Sequence, residues 1–369
     1  MAEFTVLVLG AYGLAGRAIV QALAASGGLR VVASGRRAEK LDEQFAGNTN
    51  VERLVLDATD KAELRKAVAS ADVVINAIGP FARTGADIAR TVLECGRHYV
   101  DCANEQIHYE RLREMDVTAR NAGLLLATGA GLIPGISTVL AAHQLETHQG
   151  ADGVDIVYSQ LRHAYEDSGM GSIMGGVLDA VYRPCSIRGG RRRPVTLGSA
   201  SRTENLPEPF GRRTVLEIPN IEILALEARG GLREIRVWID LGDYPKWLFG
   251  VIRALNPAKR EWAYRLIDRI VEPLNRAEFQ RAVKHGHGPD ALVLVRTHAG
   301  GNSAQSIARF TDGATPTAVL PARIARDLAA GKVKRHGLAT PIDLYTWLEI
   351  LDDLAGCLVR LDVGSVATG

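Results

Sequence analysis

The chain has 369 residues, 47% hydrophobic and 23% charged, with a formal net charge of +2. That length suits about two domains, and the composition excludes a disordered or fibrous chain. The small net charge excludes a global field for nucleic acid or a membrane surface. Cys95, Cys102, Cys185 and Cys357 form no C-x-x-C pair, which reads as reduced thiols in a cytoplasmic protein.

The first apolar run, Thr5–Leu9, reads as a strand and leaves too few residues before it for a signal peptide. It ends in Gly10-Ala11-Tyr12-Gly13-Leu14-Ala15-Gly16, where a helical pattern opens. Glycines at 10, 13 and 16 keep side chains out of the turn, so backbone N–H groups at the helix N-terminus can approach a pyrophosphate. The spacing is Gly-x-x-Gly-x-x-Gly rather than the commoner Gly-x-Gly-x-x-Gly.

The second strand, Leu29–Ser34, runs into Gly35-Arg36-Arg37, with Lys40 one turn on. The Asp or Glu that holds the ribose hydroxyls of NAD at this strand end is absent. Two guanidinium groups can instead grip a 2′-phosphate, which favours NADP(H). Strand three, Arg53–Leu56, ends at Asp57-Ala58; Asp57 reaches the adenine amino group or caps the helix Lys61–Val68. Strand four, Asp72–Ala77, leads into Ile78-Gly79-Pro80. Alternating strands and helices predict an α/β fold, a doubly wound parallel Rossmann sheet with Asn76–Pro80 at the switch point.

A helix Ala86–Cys95 and a strand His98–Asp101 follow, with Cys102-Ala103-Asn104-Glu105 at the strand's carboxyl end. Asp101 and Glu105 are candidate catalytic carboxyls, to protonate a product or hold an amine; otherwise Asp101 caps a turn and Glu105 starts a helix. Tyr99 and His98 stand on opposite faces of that strand, as cleft wall or core, and Tyr99 joins Asp101 and Glu105 as a candidate catalytic residue. Cys102 reads as a small buried thiol. The stretch Gly123–Leu145 carries no Asp, Glu, Lys or Arg. Its central glycines and proline make it a strand, a turn and a buried helix rather than a membrane span.

From about residue 151 strand patterns dominate: Val154–Leu161, Cys185–Arg188, Thr214–Ile218, Glu234–Asp240, Leu292–His298 and Ala304–Phe310. Ala299–Asn302 reads as a hairpin turn, and Ser172–Val181 and Lys246–Ala282 as helices. The expected domains are 1–145 (dinucleotide-binding), 146–315 (an inserted α+β substrate and oligomerisation domain) and 316–369 (helices packing back on the first).

Four stretches resemble the saccharopine dehydrogenase-like family of NADP(H)-binding oxidoreductases: Gly10–Gly16; Asn76–Phe81 with Gly85; Cys95–Asp101 closing on Glu105; and Gly129–Gly135. The tail Gly337–Pro341 is similar too. The resemblance implies NADPH-dependent reduction of an imine in a small-molecule substrate held in the interdomain cleft. The alternatives are reduction of an enoyl group carried by an acyl-carrier protein or coenzyme A, and a non-catalytic NADP(H) sensor or scaffold. It further implies that Gly10–Gly16 meet the pyrophosphate, Ser34–Arg37 the 2′-phosphoribose, and Asn76, Ala77, Ile78, Gly79 and Pro80 the nicotinamide end. No catalytic acid carries over. A homodimer is expected, and no nucleic-acid or membrane partner.

No Tyr-x-x-x-Lys occurs, which argues against short-chain dehydrogenase chemistry. His285-Gly286-His287 reads as a loop, not a metal site. Arg188–Pro194 reads as a solvated hairpin tip or a dock for a phosphorylated group. Ser168–Ser172 reads as a loop or a carboxylate-binding helix start; His163, Tyr165, Glu166 and Asp167 precede it.

Overall fold

The structure is a computed structural model and describes residues 3–161, 184–195, 200–240 and 290–363, with positions 262, 263, 266 and 269. The chain opens with β1 (Thr5–Leu9), α1 (Leu14–Ser26), β2 (Arg30–Gly35), α2 (Ala38–Phe45) and β3 (Val51–Val55). Next come α3 (Lys61–Ala69), β4 (Val73–Asn76), α4 (Phe81–Glu94), β5 (His98–Asp101), α5 (Gln106–Arg113), α6 (Asp116–Asn121), β6 (Leu125–Ala127) and α7 (Ile136–Thr147). Then follow β7 (Gly153–Leu161), β8 (Cys185–Arg188), β9 (Arg191–Pro194), β10 (Ser201–Asn205), β11 (Arg212–Ile218), α8 (Ile221–Glu227), β12 (Glu234–Asp240), β13 (Asp290–Ala299) and β14 (Asn302–Phe310). The chain ends with α9 (Ala314–Ala329), β15 (Gly337–Ala339), α10 (Pro341–Leu344), α11 (Trp347–Leu354) and β16 (Leu358–Val363).

Two units result. The first comprises residues 1–103, 108–136 and 314–354; the second 104–107, 137–313 and 355–369. The first unit's sheet has the order β15-β6-β5-β4-β1-β2-β3, and every pair in it is parallel. Strands covered by helices on both faces must be apolar throughout, and all five residues of β1 and all four of β4 are buried. β1 lies between β2 and β4, so strand order reverses there, as the alternating pattern predicts. The register aligns Ser34, Leu9, Asn76 and Asp101 in one row at the carboxyl ends. The C-terminal helices do return: α9 packs along α1, and Thr317 Oγ1 accepts from Leu132 N at 3.4 Å.

The second unit holds a nine-stranded mixed sheet, β10-β11-β12-β7-β13-β14-β16, with β8 on β12 and β9 on β8. One face packs Val157, Trp238, Leu292 and Leu294 under Leu206 and Phe210. Glu222, on α8, is fully buried and accepts from Ser137 Oγ at 3.0 Å. Burial pushes its carboxyl up to about 7 against the pull of its own backbone N–H and of Ser137 and Asn220.

Several expectations need correction. The tail is not all helix, because β15 completes the first sheet and β16 joins the second. The helix after Glu105 is two helices, α5 and α6, and the helix after Pro80 begins at Phe81. The strand β10 and the helix α8 were not expected. α8 is a short, nearly all-apolar run whose period distinguishes no element type. The expected helix Ser172–Val181, the residues 163–172 and the His285–His287 loop lie outside the described residues, as does Lys246–Ala282 except at 262, 263, 266 and 269. Among the described residues, no helix is long and apolar enough to cross a membrane.

Candidate functional site

The turn after β1 is folded by its own backbone. Gly10 has φ 76°, the left-handed region open to glycine. Gly13 N donates to Gly10 O at 3.0 Å, Ala11 N to Ser34 O at 2.9 Å, and Ala77 N to Leu9 O at 2.9 Å. α1 then starts behind Gly13, which brings no side chain to cap it. The first helical N–H groups, those of Leu14 and Ala15, have no intrahelical carbonyl to donate to, so they are left for an outside acceptor.

The glycines divide the labour. A Cβ on Gly16 would sit 2.2 Å from Gly10 O, so this glycine lets helix and turn touch. A Cβ on Gly13 would meet Gly10 O alone, at 3.3 Å, so its other sides are open. That is a cradle a side chain would fill and a phosphate fits. A Cβ on Gly10 would sit 3.0 Å from both Ala77 O and Ile78 Cγ1, which holds the turns after β1 and β4 together.

At the end of β2, Ser34 is buried and the Tyr12 ring lies on Gly35, where a Cβ would come within 2.3 Å of it. The Arg37 guanidinium stands 5.3 Å from the Tyr12 ring centroid, within cation–π range. Arg36 and Arg37 are both exposed. Asp57 accepts from Thr59 N at 2.9 Å and from Thr59 Oγ1 at 2.7 Å. Those bonds, with a smaller contribution from the charge of Arg36, hold its carboxyl below the usual range. Asp57 does not cap α3. Asp60 does, accepting from Ala62 N at 2.8 Å and Glu63 N at 3.0 Å. Ala58 beside it is buried.

At the end of β4, Asn76 is fully buried; its Oδ1 accepts from Ile78 N at 2.9 Å and its Nδ2 donates to the Tyr99 hydroxyl at 3.0 Å. The Asn76–Pro80 turn is therefore fixed from inside, while Gly79 is exposed at its tip.

The candidate carboxyls behave differently from a free acid. Asp101 is fully buried. Its Oδ1 accepts from Thr128 Oγ1 at 2.7 Å, Ala103 N at 3.0 Å and Gly129 N at 3.2 Å, and its Oδ2 bonds His108 Nε2 at 2.6 Å. Burial works to raise its pKa, but the His108 ring and these donors outweigh it and hold the carboxyl below its ordinary value. Tyr99 is equally buried, and burial followed by the Asp101 charge pushes its hydroxyl far up. Glu105, four residues on, belongs to the second unit. It is buried, its Oε2 accepts from Asn104 N at 3.1 Å, and its backbone bridges Asn220. Asp101 and Glu105 are thus not brought together within one unit.

Sequence reasoning missed His108 and Thr128. Gly85 was the available signal: a Cβ there would sit 2.8 Å from His108 Nδ1. Among the described residues no group of His, Cys, Asp and Glu could hold a metal.

Residues 6–126 match the family model of the saccharopine dehydrogenase NADP binding domain. Residues 6–126, the larger part of the first unit, are thus similar to a saccharopine dehydrogenase NADP binding domain. The chain's dinucleotide is NADP(H), and the uncapped helix start, the open side of Gly13 and the absence of an acidic residue at Ser34–Gly35 fit that cofactor. A lipid droplet localized protein of Caenorhabditis elegans is 29% identical over 143 residues, covering 36% of this chain and 34% of that protein. A trans-acting enoyl reductase of Mycobacterium tuberculosis is 28% identical over 159 residues, covering 41% of this chain and 37% of that protein. The chain thus aligns with little more than a third of these curated relatives. Apo saccharopine dehydrogenase (L-Glu forming) of Saccharomyces cerevisiae is similar in fold, with TM-score 0.66 and 15% identity, the match covering 98% of this chain and 100% of that one.

Proposed function

We propose that the chain is an NADPH-dependent reductase acting on the C=C bond of an enoyl group, delivered as a thioester on an acyl-carrier protein or coenzyme A. The saturated state of Asp101 carries this reading over imine reduction. An iminium is helped by a free carboxylate beside its positive charge, whereas Asp101 is buried and both its oxygens are taken. A developing enolate needs no carboxylate partner and is repelled by an exposed one, and Asp101 offers none, its charge being taken up by His108 and three further donors. The relatives named trans-acting enoyl reductases support the same choice.

Bound NADPH supplies the hydride. In this reading the N–H groups of Leu14 and Ala15 bind its pyrophosphate, and Gly10, Gly13 and Gly16 keep that approach clear. Arg36 and Arg37 hold the 2′-phosphate, with Tyr12 carrying Arg37. Ser34 and Gly35 leave that corner without a carboxylate, and Asp57 and Ala58 border the adenine. Asn76, Ala77, Ile78, Gly79 and Pro80 line the nicotinamide half. Asp101 and Tyr99 act as positioning residues beneath that turn, through the bond from Asn76 to Tyr99. Glu105 anchors the second unit's Asn104–Asn220 corner.

The test is NADPH consumption by the full chain with an α,β-unsaturated acyl thioester and, separately, a preformed cyclic imine. Turnover of the thioester supports the reading. Turnover of the imine alone overturns it, and so does tight NADPH binding with neither substrate consumed, which makes the protein a sensor.

A further inference from the structure

The Asn76–Pro80 turn runs between two fixed ends, and both lead to Asp101. Asn76 and Asp101 stand opposite one another where β4 pairs with β5, and Tyr99, two residues before Asp101, shares their face. Asn76 Nδ2 donates to the Tyr99 hydroxyl at 3.0 Å, and that hydroxyl lies beside Asp101. The leading end of the turn is thereby tied to β5.

The trailing end is held from α5. Directly behind Pro80, residues Phe81 to Gly85 open α4. His108 is fully buried, and its Nε2 meets Asp101 Oδ2 at 2.6 Å. The other edge of its ring lies on Gly85, where a Cβ would come within 2.6 Å of His108 Cε1 and 2.8 Å of Nδ1. The Phe81 and His108 ring centroids are 5.6 Å apart. About one turn along α5, Arg111 Nη1 donates to Ala82 O at 2.6 Å. Among the described residues His108 Nδ1 has no hydrogen-bond partner. A buried nitrogen left so is costly, and an apolar ring of similar size avoids that cost. Such a ring could press on Gly85 but would take no fixed place from the carboxylate. The imidazole does both: Nε2 is located by Asp101, and the opposite edge passes that location to the backbone of α4.

We infer that His108 is a positioning residue for the nicotinamide half of the dinucleotide, setting the trailing end of the Asn76–Pro80 turn from Asp101 through Gly85. One buried carboxylate then fastens the turn at both ends. The inference rests on the reading of that turn as the nicotinamide side of the site.

The experiment has two parts, both on the full chain. Without cofactor, hydrogen exchange is followed at the amides of Ile78, Gly79 and Phe81–Gly85. His108→Ala should speed exchange there about tenfold or more, while β1 and β2 keep their protection. Calorimetric titration then compares NADPH with adenosine 2′,5′-bisphosphate, which keeps the 2′-phosphate and lacks the nicotinamide. His108→Ala, and Gly85→Ala, which crowds the ring from the other side, should each lower the ratio of the two affinities about fivefold. Both act through one contact, so the double variant G85A/H108A should be no worse than His108→Ala alone. Where thermal melts show that His108→Ala has failed to fold, Gly85→Ala carries both parts. Unchanged exchange at the turn, or a rise spread evenly over the first sheet, overturns the inference and leaves the cofactor reading of the turn standing. Faster exchange confined to the turn with an unchanged affinity ratio overturns that reading, and the role of His108 with it.

Discussion

The turn after β1 and the end of β5 stand in the same row of the same sheet, yet they are finished in opposite ways. At Gly13–Ala15 the helix start is left uncapped and open. At Asp101 the carboxylate takes four donors and no solvent. Polar groups left without an internal partner are available to a ligand; groups satisfied inside are committed to the scaffold. The chemistry of a strand end is therefore not set by the residue type alone, since a carboxyl at β5 reads as catalytic until its partners are counted.

The largest test of that contrast is Gly13→Val. Gly13 has φ −72° and ψ 166°, which valine adopts readily, so the fold should persist. The side chain would occupy the cradle, and NADPH affinity should fall by about 3–6 kcal/mol, the worth of two charge-assisted bonds. Calorimetric titration showing unchanged affinity would mean the turn holds no phosphate.

Asp101→Ala probes the closed side. It leaves His108 and three further donors without a buried acceptor and should cost about 3–5 kcal/mol of folding stability, read by denaturant unfolding. NADPH affinity of the folded fraction should change only a few-fold. Full stability with lost turnover would return Asp101 to the list of free acids.

Replacing Arg36 and Arg37 by Ala should weaken NADPH by about 2–4 kcal/mol and leave NADH almost unaffected. Equal losses for both cofactors would remove the 2′-phosphate from that corner.

The smallest expected effect belongs to Glu222, a buried carboxyl in the second unit. Its pKa is raised by burial from 4.5 to about 7. The folded state therefore holds a proton that the unfolded chain releases near 4.5, so stability present at low pH is lost as pH rises through about 7. Between about pH 5 and pH 7 the loss amounts to about 2 kcal/mol. Unfolding curves of Glu222→Gln should lack that decline. Parallel pH profiles for the two proteins would contradict the shift.

The fold was legible where one element type was over-determined. Glycines at 10, 13 and 16 behind an apolar strand admit few structures, and the paired runs around Ala299–Asn302 formed the hairpin they suggested. Short elements were not legible. β15 is three residues long and takes its identity from β6, while β10 is polar and pairs with β11. The turns at the ends of β1 and β4 could be read because they depend on local sequence. The role of Asp101 could not, since His108 and Thr128 arrive from α5 and the end of β6, and nothing in their spacing marks them as partners.

The seventh strand of the first sheet arrives late. β6 ends at Ala127 and its neighbour β15 begins at Gly337, more than half the chain further on. α9, which packs along α1, is made only shortly before β15. At ~5–20 residues per second, a ribosome needs on the order of 10–40 s to pass from one strand to the other. Throughout that interval the nascent first domain carries an unpaired β6 edge and an uncovered α1. Its completion is thus timed by synthesis of the second domain, and a pause or truncation within the insertion leaves an incomplete sheet with an open edge for chaperones to guard.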